Sequence, residues 1–354
     1  MKIAVIGAGA IGNLVAGYLK LKGQDVFLVG RNDSVGVIKE KGLQISGVRN
    51  NFNIQIDVSE RLSQNSDLAI LTTKTQDVEG AVKENLRFVE GATILTTQNG
   101  VQADSIVSKY IPKENIISSI VMFGATYLEP GKVVHNFEGN WIMGNIFGKN
   151  GGHIAKVSEV LNKIFPTVVA ENILGMKYLK IFVNANNCIP AILGVSMQEA
   201  FSDIDISRVS IAIWKEGLDI VSRSGIDLVS LPDFPLERLT KLTSMPDIEA
   251  TKIFSGIMTT LSKEPLYGSI LQSIKRGRAS EIDYINGEFV NLAKDNNLNA
   301  PLNKKLVKMV HEVEKTKRFF SKEELLKKTK GLVSASTLTG YGGSAEAREN
   351  GGGN

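Results

Sequence analysis

Residues 2–12, KIAVIGAGAIG, decide the fold of the N-terminal part of this chain. The apolar, β-branched run at residues 2–6 predicts a strand, and residues 13–22 have the amphipathic pattern of a helix. Between them lies the glycine turn, whose residues follow the pattern G-x-G-x-x-G: Gly7, Ala8, Gly9, Ala10, Ile11 and Gly12. A second apolar strand is predicted at residues 25–29. The order strand, glycine turn, helix, strand predicts a dinucleotide-binding βαβ unit.

Each glycine of this turn has a predicted role at such a site. Gly7 permits the tight turn, Gly9 lets backbone N–H groups approach a pyrophosphate, and Gly12 lets the helix pack closely on the strand. The pyrophosphate would lie at the helix N-terminus, where unpaired N–H groups and the helix dipole favour an anion. A glycine-rich turn in some other α/β protein is the alternative interpretation.

The end of the second strand distinguishes NADP from NAD. An NAD site usually carries Asp or Glu there to accept a hydrogen bond from the ribose 2′-OH, whereas arginine suits a 2′-phosphate. Here Val29 and Gly30 are followed by Arg31, and the first carboxylate is that of Asp33. Because its planar guanidinium can donate to phosphate oxygens, Arg31 favours NADP. An ordinary solvated arginine is the other interpretation.

Length and composition exclude several classes of protein. The 354 residues are enough for two domains with substantial cores. No apolar run approaches the roughly 20 residues that span a bilayer, and the N-terminus has no signal-peptide pattern. A single cysteine, Cys188, excludes an internal disulfide, and three scattered histidines show no metal-ligand spacing. We therefore expect a cytoplasmic protein with no metal site and no membrane partner.

The basic residues are concentrated near the C-terminus. Residues 315–330 carry seven basic side chains against two glutamates, a local charge of +5 in a chain whose net charge is +4. A nucleic-acid interface would combine such charge with stacking aromatics on a binding face. This run instead precedes a Gly/Ser-rich tail, and it predicts a solvated terminal helix with no nucleic-acid partner.

Strand and helix patterns alternate at intervals of about 25 residues in the N-terminal part, which predicts a parallel, doubly wound sheet. Ligands of such sheets bind beyond the carboxyl ends of the strands. Lys74 and Asn99 both follow predicted strands, so we expect them to share a crevice with the glycine turn. The hairpin-like sequence at residues 126–147 is interpreted as the distal edge of the same sheet.

Beyond residue 170 the pattern becomes helical. Helices are predicted at residues 174–193, 205–224, 248–261, 269–276, 281–296 and 301–318. The predicted fold is α/β, with an N-terminal Rossmann-type doubly wound sheet followed by an all-helical C-terminal domain. The predicted limits are an NADP-binding Rossmann domain at residues 1–170, a helical substrate and catalytic domain at 171–330, and a disordered tail at 331–354.

One face of the predicted helix 174–193 is polar. Lys180, Asn184 and Asn187 have the spacing i, i+4, i+7 and fall within roughly 60° of one another. Because unpaired burial costs on the order of 1–3 kcal/mol per group, either an internal polar network or a ligand must supply partners. Beside a hydride-donating cofactor, a lysine whose pKa is lowered by burial could protonate a carbonyl oxygen.

Six pieces of sequence resemble the ketopantoate reductase (2-dehydropantoate 2-reductase) family over about residues 1–315. They are GAGAIG at 7–12, Arg31, Lys74 in TTKTQD, QNG at 98–100, KIFVN at 180–184, and the stretch from SILQ at 269–272 to SEIDYING at 280–287. The last piece is the most specific. The resemblance implies an NADP-dependent oxidoreductase acting on a CH–OH group, which reduces 2-dehydropantoate to pantoate in pantothenate biosynthesis.

The resemblance also implies a role for individual residues. Lys180 would donate the proton to the carbonyl oxygen, and Glu281 would position the substrate and contact the cofactor or Lys180. Asn99 would lie between nicotinamide and substrate, Asn184 would bind polar groups of the substrate, and Ser269 would bind its carboxylate. By local pattern alone, Ser269 fits only a helix N-cap, and Glu281 fits only a first-turn carboxylate that stabilises its helix.

The resemblance further implies that Arg31 and Lys74 hold the adenosine phosphate and ribose side of NADPH. The chain departs from the family at Cys188, where a second asparagine is usual, and Asn187 could supply the missing amide. No clear match to another family substrate contact occurs near Gln198. Both departures concern recognition, so reduction of another 2-oxo acid is one alternative. A non-catalytic NADP-binding regulator is another, and a homodimer through the helical domain is possible.

Overall fold

The computed structural model describes residues 1–335, and their contacts divide the chain into two compact units. The first unit comprises Met1–Ala185, Gly225–Leu236 and Ala279–Asn291. The second comprises Asn186–Ser224, Glu237–Arg278 and the described part of Leu292–Asn354. Each unit is therefore built from several chain segments.

The described residues contain twelve strands, all in the first unit: β1 (Lys2–Ile6), β2 (Asp25–Val29), β3 (Leu43–Gly47), β4 (Phe52–Ile54), β5 (Asp57–Ser59), β6 (Leu68–Leu71), β7 (Thr93–Thr96), β8 (Ile116–Val121), β9 (Gly124–Glu129), β10 (Lys132–Phe137), β11 (Trp141–Gly144) and β12 (Thr167–Val169). Eight of them form the main sheet, in the order β12-β11-β8-β7-β6-β1-β2-β5. All neighbours are parallel except β8 and β11.

The main sheet is buried on both faces. Along β1, Ile3 and Val5 belong to one apolar cluster, whereas Ala4 and Ile6 belong to the other. Strands buried on both faces read as continuous apolar runs, as KIAVI and LAIL do. The predicted Rossmann-type fold class is confirmed.

Residues 126–147 differ from the prediction that they form the distal edge of this sheet. Strands β9 and β10 belong to a separate four-stranded sheet, in the order β4-β3-β10-β9, and only β11 joins the main sheet. Strand β10 pairs in parallel with β3, from Lys132 opposite Gln44 to His135 opposite Gly47. Local alternation predicts a strand but does not identify a partner so far away in the chain.

Fifteen α-helices lie within the described residues: α1 (Ala10–Leu21), α2 (Asn32–Lys41), α3 (Val78–Val89), α4 (Gln102–Val107), α5 (Gly152–Leu161), α6 (Ile173–Ala185), α7 (Cys188–Leu193), α8 (Met197–Phe201), α9 (Ile204–Arg223), α10 (Leu236–Ser244), α11 (Asp247–Thr259), α12 (Ser269–Lys275), α13 (Asn286–Asp295), α14 (Pro301–Thr316) and α15 (Lys322–Ala335). None of them is long and apolar enough to cross a bilayer.

Two predicted helices are interrupted. The helix predicted at 174–193 is divided into α6 and α7, because Pro190 has no N–H with which to continue the ladder to the carbonyl of Asn186. The helix predicted from residue 281 starts with the 3₁₀ turn Ile282–Tyr284 and becomes α-helical only at Asn286.

Helix α6 packs into the first unit, although the predicted domain limit at residue 170 places it in the second domain. Phe182 of α6 packs against Phe289, with ring centroids 4.8 Å apart, and both belong to the first unit. The contacts therefore group α6 and residues 279–291 with the sheet. The predicted domain limits follow the change of sequence pattern at residue 170, and they divide the chain differently from the contacts.

The C-terminal helix α15 differs from the predicted solvated helix and tail. Leu325 and Thr329 are fully buried, while Lys327 and Lys328 lie on the exposed side. Residues 331–335, predicted to begin the disordered tail, form the last part of α15. Residues 336–354 lie outside the described residues.

Candidate active site

The glycine turn leaves space where a dinucleotide pyrophosphate would lie. A Cβ added to Gly12 would be 1.8 Å from the carbonyl oxygen of Gly7, so the helix approaches the turn too closely for any side chain. At Gly9, by contrast, an added Cβ would meet no described residue outside its own stretch of chain within 4 Å. Gly9 is also the N-cap of α1 and provides no side-chain cap to its N–H groups. This combination fits an anionic group bound to the backbone.

Arg31 and Lys74 follow the carboxyl ends of β2 and β6, which both pair in parallel with β1, so they lie at the same edge of the sheet as the glycine turn. Arg31 Nη2 is 3.7 Å from Asp77 Oδ2, and its side chain is 75% exposed. Such exposed pairs contribute only about 0–1 kcal/mol, so the guanidinium can turn to another anion. Lys74 Nζ donates to the carbonyl oxygen of Ala279 at 2.6 Å. Lys74 therefore binds the backbone two residues before Glu281.

The Asn99 side chain connects residues from three parts of the first unit. Its Oδ1 accepts a hydrogen bond from Asn184 Nδ2 at 3.3 Å. The same side chain hydrogen-bonds to the carboxylate of Glu281. Thr75 Oγ1 donates to Glu281 Oε1 at 3.3 Å. The structure thus joins Asn99, Asn184 and Glu281, which the sequence predicts as site residues, in one hydrogen-bonded network.

Lys180 lies beside this network, one helical turn before Asn184. Lys180 and Asn99 line the same cavity of about 30 Å³, together with residues 97, 98, 100, 119–121 and 177. Burial lowers the pKa of Lys180 from 10.5 to about 8, and the charge of Asp233 partly opposes this shift. A lysine with this pKa is a better proton donor near neutral pH than an ordinary lysine.

Burial has the opposite effect on Glu281. It raises the pKa of the Glu281 carboxyl, while the charge of Lys74 and hydrogen bonds from Thr75 and Asn99 act to lower it. A buried carboxyl with a nearby cation and several donors is typical of functional sites.

A buried ion pair that the sequence does not predict is formed by Lys177, which lies three residues before Lys180 on α6 and lines the same cavity. Lys177 Nζ donates to Asp104 Oδ2 at 2.9 Å, with both side chains almost fully buried. Asp104 also accepts hydrogen bonds from Thr96 Oγ1 at 2.6 Å and from Ser118 Oγ at 2.8 Å. The signal available in the sequence was a second lysine three residues before Lys180, in an otherwise apolar helix.

The remaining predicted substrate residues lie in the second unit. Ser269 is the first residue of α12, and the N-cap is Gly268. A Cβ added to Gly268 would be 3.1 Å from the Cβ and Cγ atoms of Asn187. Asn187 therefore packs against the residue that precedes Ser269. Cys188 is fully buried.

Gln198, which gave no clear match in the sequence, uses its amide to hold the backbone before α12. Its Nε2 donates to the carbonyl oxygens of Ser262 and Glu264, at 3.2 and 2.9 Å. Its Oε1 accepts from the N–H of Leu266 at 2.9 Å. The Gln198 side chain thus shapes the loop that leads to Ser269.

Comparison with known proteins identifies the family of this chain. The family model described as ketopantoate reductase PanE/ApbA matches residues 3–148, and the model of its C-terminal part matches residues 172–314. The chain belongs to the ketopantoate reductase family. It is an oxidoreductase that acts on CH–OH groups. The family resemblance predicted from the sequence is therefore confirmed.

Two relatives in this family come from Pyrococcus. The 2-dehydropantoate 2-reductase of Pyrococcus abyssi (strain GE5 / Orsay) is 32% identical over 306 residues, covering 86% of this chain and 94% of that protein. The 2-dehydropantoate 2-reductase of Pyrococcus horikoshii (strain OT-3) is 34% identical over 309 residues, with the same two coverages.

Solved structures show the same fold. A ternary structure of D-mandelate dehydrogenase with NADH and anilino(oxo)acetate has a TM-score of 0.78 and 25% identity, covering 89% of this chain and 99% of that one. The PanE/ApbA family ketopantoate reductase from Ralstonia eutropha JMP134 has a TM-score of 0.75 and 22% identity, with the same coverages. The family fold thus extends over both the sheet and the helical part.

Proposed function

We propose that this family member reduces 2-dehydropantoate to pantoate with NADPH, as a step of pantothenate biosynthesis. The observation that carries this proposal is the network in which Asn99 joins Asn184 to Glu281 beside Lys180. The Pyrococcus relatives, both named 2-dehydropantoate 2-reductase, support the choice of substrate. The NADH in the D-mandelate dehydrogenase structure supports a nicotinamide dinucleotide as the cofactor.

The proposed mechanism assigns one task to each residue. The bound cofactor would supply a hydride to the carbonyl carbon. Lys180 would hydrogen-bond the carbonyl oxygen, stabilise the developing alkoxide and give it a proton. Asn184 and Asn99 would orient the substrate. Glu281 would hold the Asn99 amide. By the family resemblance, Ser269 would bind the substrate carboxylate, and Asn187 would supply the amide that is missing at Cys188.

The pH dependence of reduction follows from the lowered pKa of Lys180. Only the ammonium form can donate a proton, so kcat/KM should be constant below about pH 8 and fall about tenfold per pH unit above it. The measurement is initial-rate kinetics of the reduction between about pH 6 and pH 10. A profile that stays level up to pH 10 would contradict a proton-donating role for Lys180.

Arg31 is proposed to select NADPH over NADH by binding the 2′-phosphate. We expect Arg31→Ala to raise the KM for NADPH about 10- to 100-fold, since a hydrogen bond to a charged group contributes about 1.5–3 kcal/mol. The KM for NADH should stay within twofold. The matched control is Arg87→Ala, which removes an exposed arginine from α3. An equal increase of KM for NADPH and NADH would show that Arg31 does not bind the 2′-phosphate.

The proposed function is tested by the loss of NADPH absorbance with a panel of 2-oxo acids at matched concentration. Rapid oxidation with 2-dehydropantoate alone supports the proposal. Preference for another acid would keep the reaction class and overturn the named substrate, and would point to Asn187 and Cys188 as the altered recognition residues. NADPH binding without oxidation by any acid would favour a non-catalytic regulator.

A reductase of another, aromatic 2-oxo acid is the second candidate. Two structures of D-mandelate dehydrogenase share 25–26% identity with the chain, and the usual second asparagine is replaced by Cys188. The panel should therefore include phenylglyoxylate, the 2-oxo acid that corresponds to mandelate. A cytoplasmic location and a homodimer through the helical domain stay predictions from the sequence.

A further inference from the structure

Glu288 belongs to none of the predicted site residues, yet its carboxylate is buried against the turn that carries Asn99. The residue is only 3% exposed. Its Oε1 accepts a hydrogen bond from the backbone N–H of Val101 at 2.9 Å. Its Oε2 accepts one from Nε2 of Gln102 at 3.2 Å. Both oxygens thus bind residues that closely follow Asn99.

The turn is also packed tightly against Glu288. Gly100 has a φ of 75°, a conformation that side chains other than glycine disfavour. A Cβ at this position would lie 2.5 Å from Glu288 Oε1 and 2.4 Å from the carbonyl oxygen of Tyr284. The backbone at Gly100 therefore packs directly against the segment 281–288, with no room for a side chain.

The segment 281–288 begins and ends with a glutamate, and both glutamates bind the turn that carries Asn99. Glu281 hydrogen-bonds to the Asn99 side chain, and Glu288 binds the backbone two residues later. The Asn99 amide therefore has its oxygen directed to Asn184 and its NH₂ group available for Glu281. Small changes in the backbone at Val101 would move this amide relative to both partners.

The buried carboxyl of Glu288 depends on the turn for its hydrogen bonds. Burial raises the pKa of the Glu288 carboxyl, and the N–H groups of Val101 and Gln102 and the ammonium of Lys177 act to lower it. A glutamate that only stabilised the first turn of its own helix could do so from the surface. Burying a carboxylate is costly unless it is hydrogen-bonded, and here the donors belong to the Asn99 turn.

We propose that Glu288 is a positioning residue, which fixes the backbone at residues 100–102 so that Asn99 is correctly oriented for the reaction. The inference rests on the proposed function, because it takes Asn99 to contact the nicotinamide and the substrate. Glu288 acts only through Asn99 and contacts no reacting atom.

The test compares Glu288→Gln in the natural chain with the same change in an Asn99→Ala background. In the natural chain, kcat should fall about tenfold, equivalent to about 1.4 kcal/mol, while the Kd for NADPH changes less than twofold. In the Asn99→Ala background, Glu288→Gln should lower kcat less than twofold, because the group that it positions is gone. Equal effects in both backgrounds would overturn the proposal and indicate a general structural role.

Glu237→Gln is the matched control, because Glu237 is an exposed glutamate in the first turn of α10. It should leave kcat unchanged. If Glu288→Gln does not fold, Glu288→Asp keeps the charge but shortens the side chain, and should lower kcat in the same background-dependent way.

Hydrogen–deuterium exchange provides a readout that does not need activity. Exchange in peptides that cover residues 98–103 should become at least tenfold faster in Glu288→Gln and stay unchanged in Glu237→Gln. Unchanged exchange in Glu288→Gln would overturn the proposal. If the natural chain reduces no 2-oxo acid, the proposed function fails, and faster exchange would still show that Glu288 holds the turn.

Discussion

Replacing Lys180 by alanine is expected to lower kcat for NADPH-dependent reduction by about 10²–10⁴-fold, the usual contribution of a general acid. The ammonium group lies at the cavity shared with Asn99, and burial brings its pKa to about 8. Without it, the developing alkoxide would lose both its charged hydrogen-bond donor and its proton source. Steady-state kinetics with 2-dehydropantoate measure the loss.

The loss should be confined to the chemical step. We expect the Kd of Lys180→Ala for NADPH, measured by fluorescence titration, to stay within about threefold of the natural value, because the glycine turn and Arg31 are unchanged. The decrease of kcat/KM above about pH 8 should also disappear. Lys156→Ala removes an exposed lysine from α5 and should have neither effect. Turnover of Lys180→Ala within threefold of the natural enzyme would exclude Lys180 as the proton donor.

Replacing Lys177 by methionine is expected to lower the free energy of unfolding by about 3–5 kcal/mol. The change leaves the carboxylate of Asp104 buried without its cation, although the hydroxyl groups of Thr96 and Ser118 still donate to it. Methionine fills much of the same volume, so the loss reflects the unpaired charge more than a cavity. Urea unfolding, followed by circular dichroism, measures the change.

The double variant Asp104→Asn, Lys177→Met is the control for charge. Asparagine retains an oxygen that can accept from Thr96 or Ser118 but carries no charge to be left unpaired. The double variant should therefore be at least about 1 kcal/mol more stable than Lys177→Met alone. A loss below about 1 kcal/mol for Lys177→Met would mean that water reaches Asp104 in solution.

Several features of the fold and site follow from residues that are close together in the chain. The glycine turn could be predicted because its strand, glycines and helix are contiguous, and Gly12 meets Gly7 only five residues away. The shared face of Lys180 and Asn184 follows from the helical repeat. The prediction was wrong one turn later. Helix α6 ends at Ala185, because Pro190 cannot donate to the carbonyl of Asn186, and Asn187 is the N-cap of α7.

Other features depend on segments far apart in the chain. Strand β10 pairs with β3 rather than extending the main sheet. Asp104 and Lys177 are 73 residues apart, and Val101 and Glu288 are 187 residues apart. No local pattern marks these residues as partners, since a carboxylate near a helix start also fits an exposed position.

The amino-acid sequence was sufficient to identify the family, the dinucleotide turn and the helix that carries Lys180, because short contiguous motifs encode each of them. Only the tertiary structure revealed the buried ion pair between Lys177 and Asp104, and the Glu288 carboxylate that binds the Asn99 turn. The physical reason is that a charge is tolerated in a protein interior only where distant segments bring its hydrogen-bond partners to it.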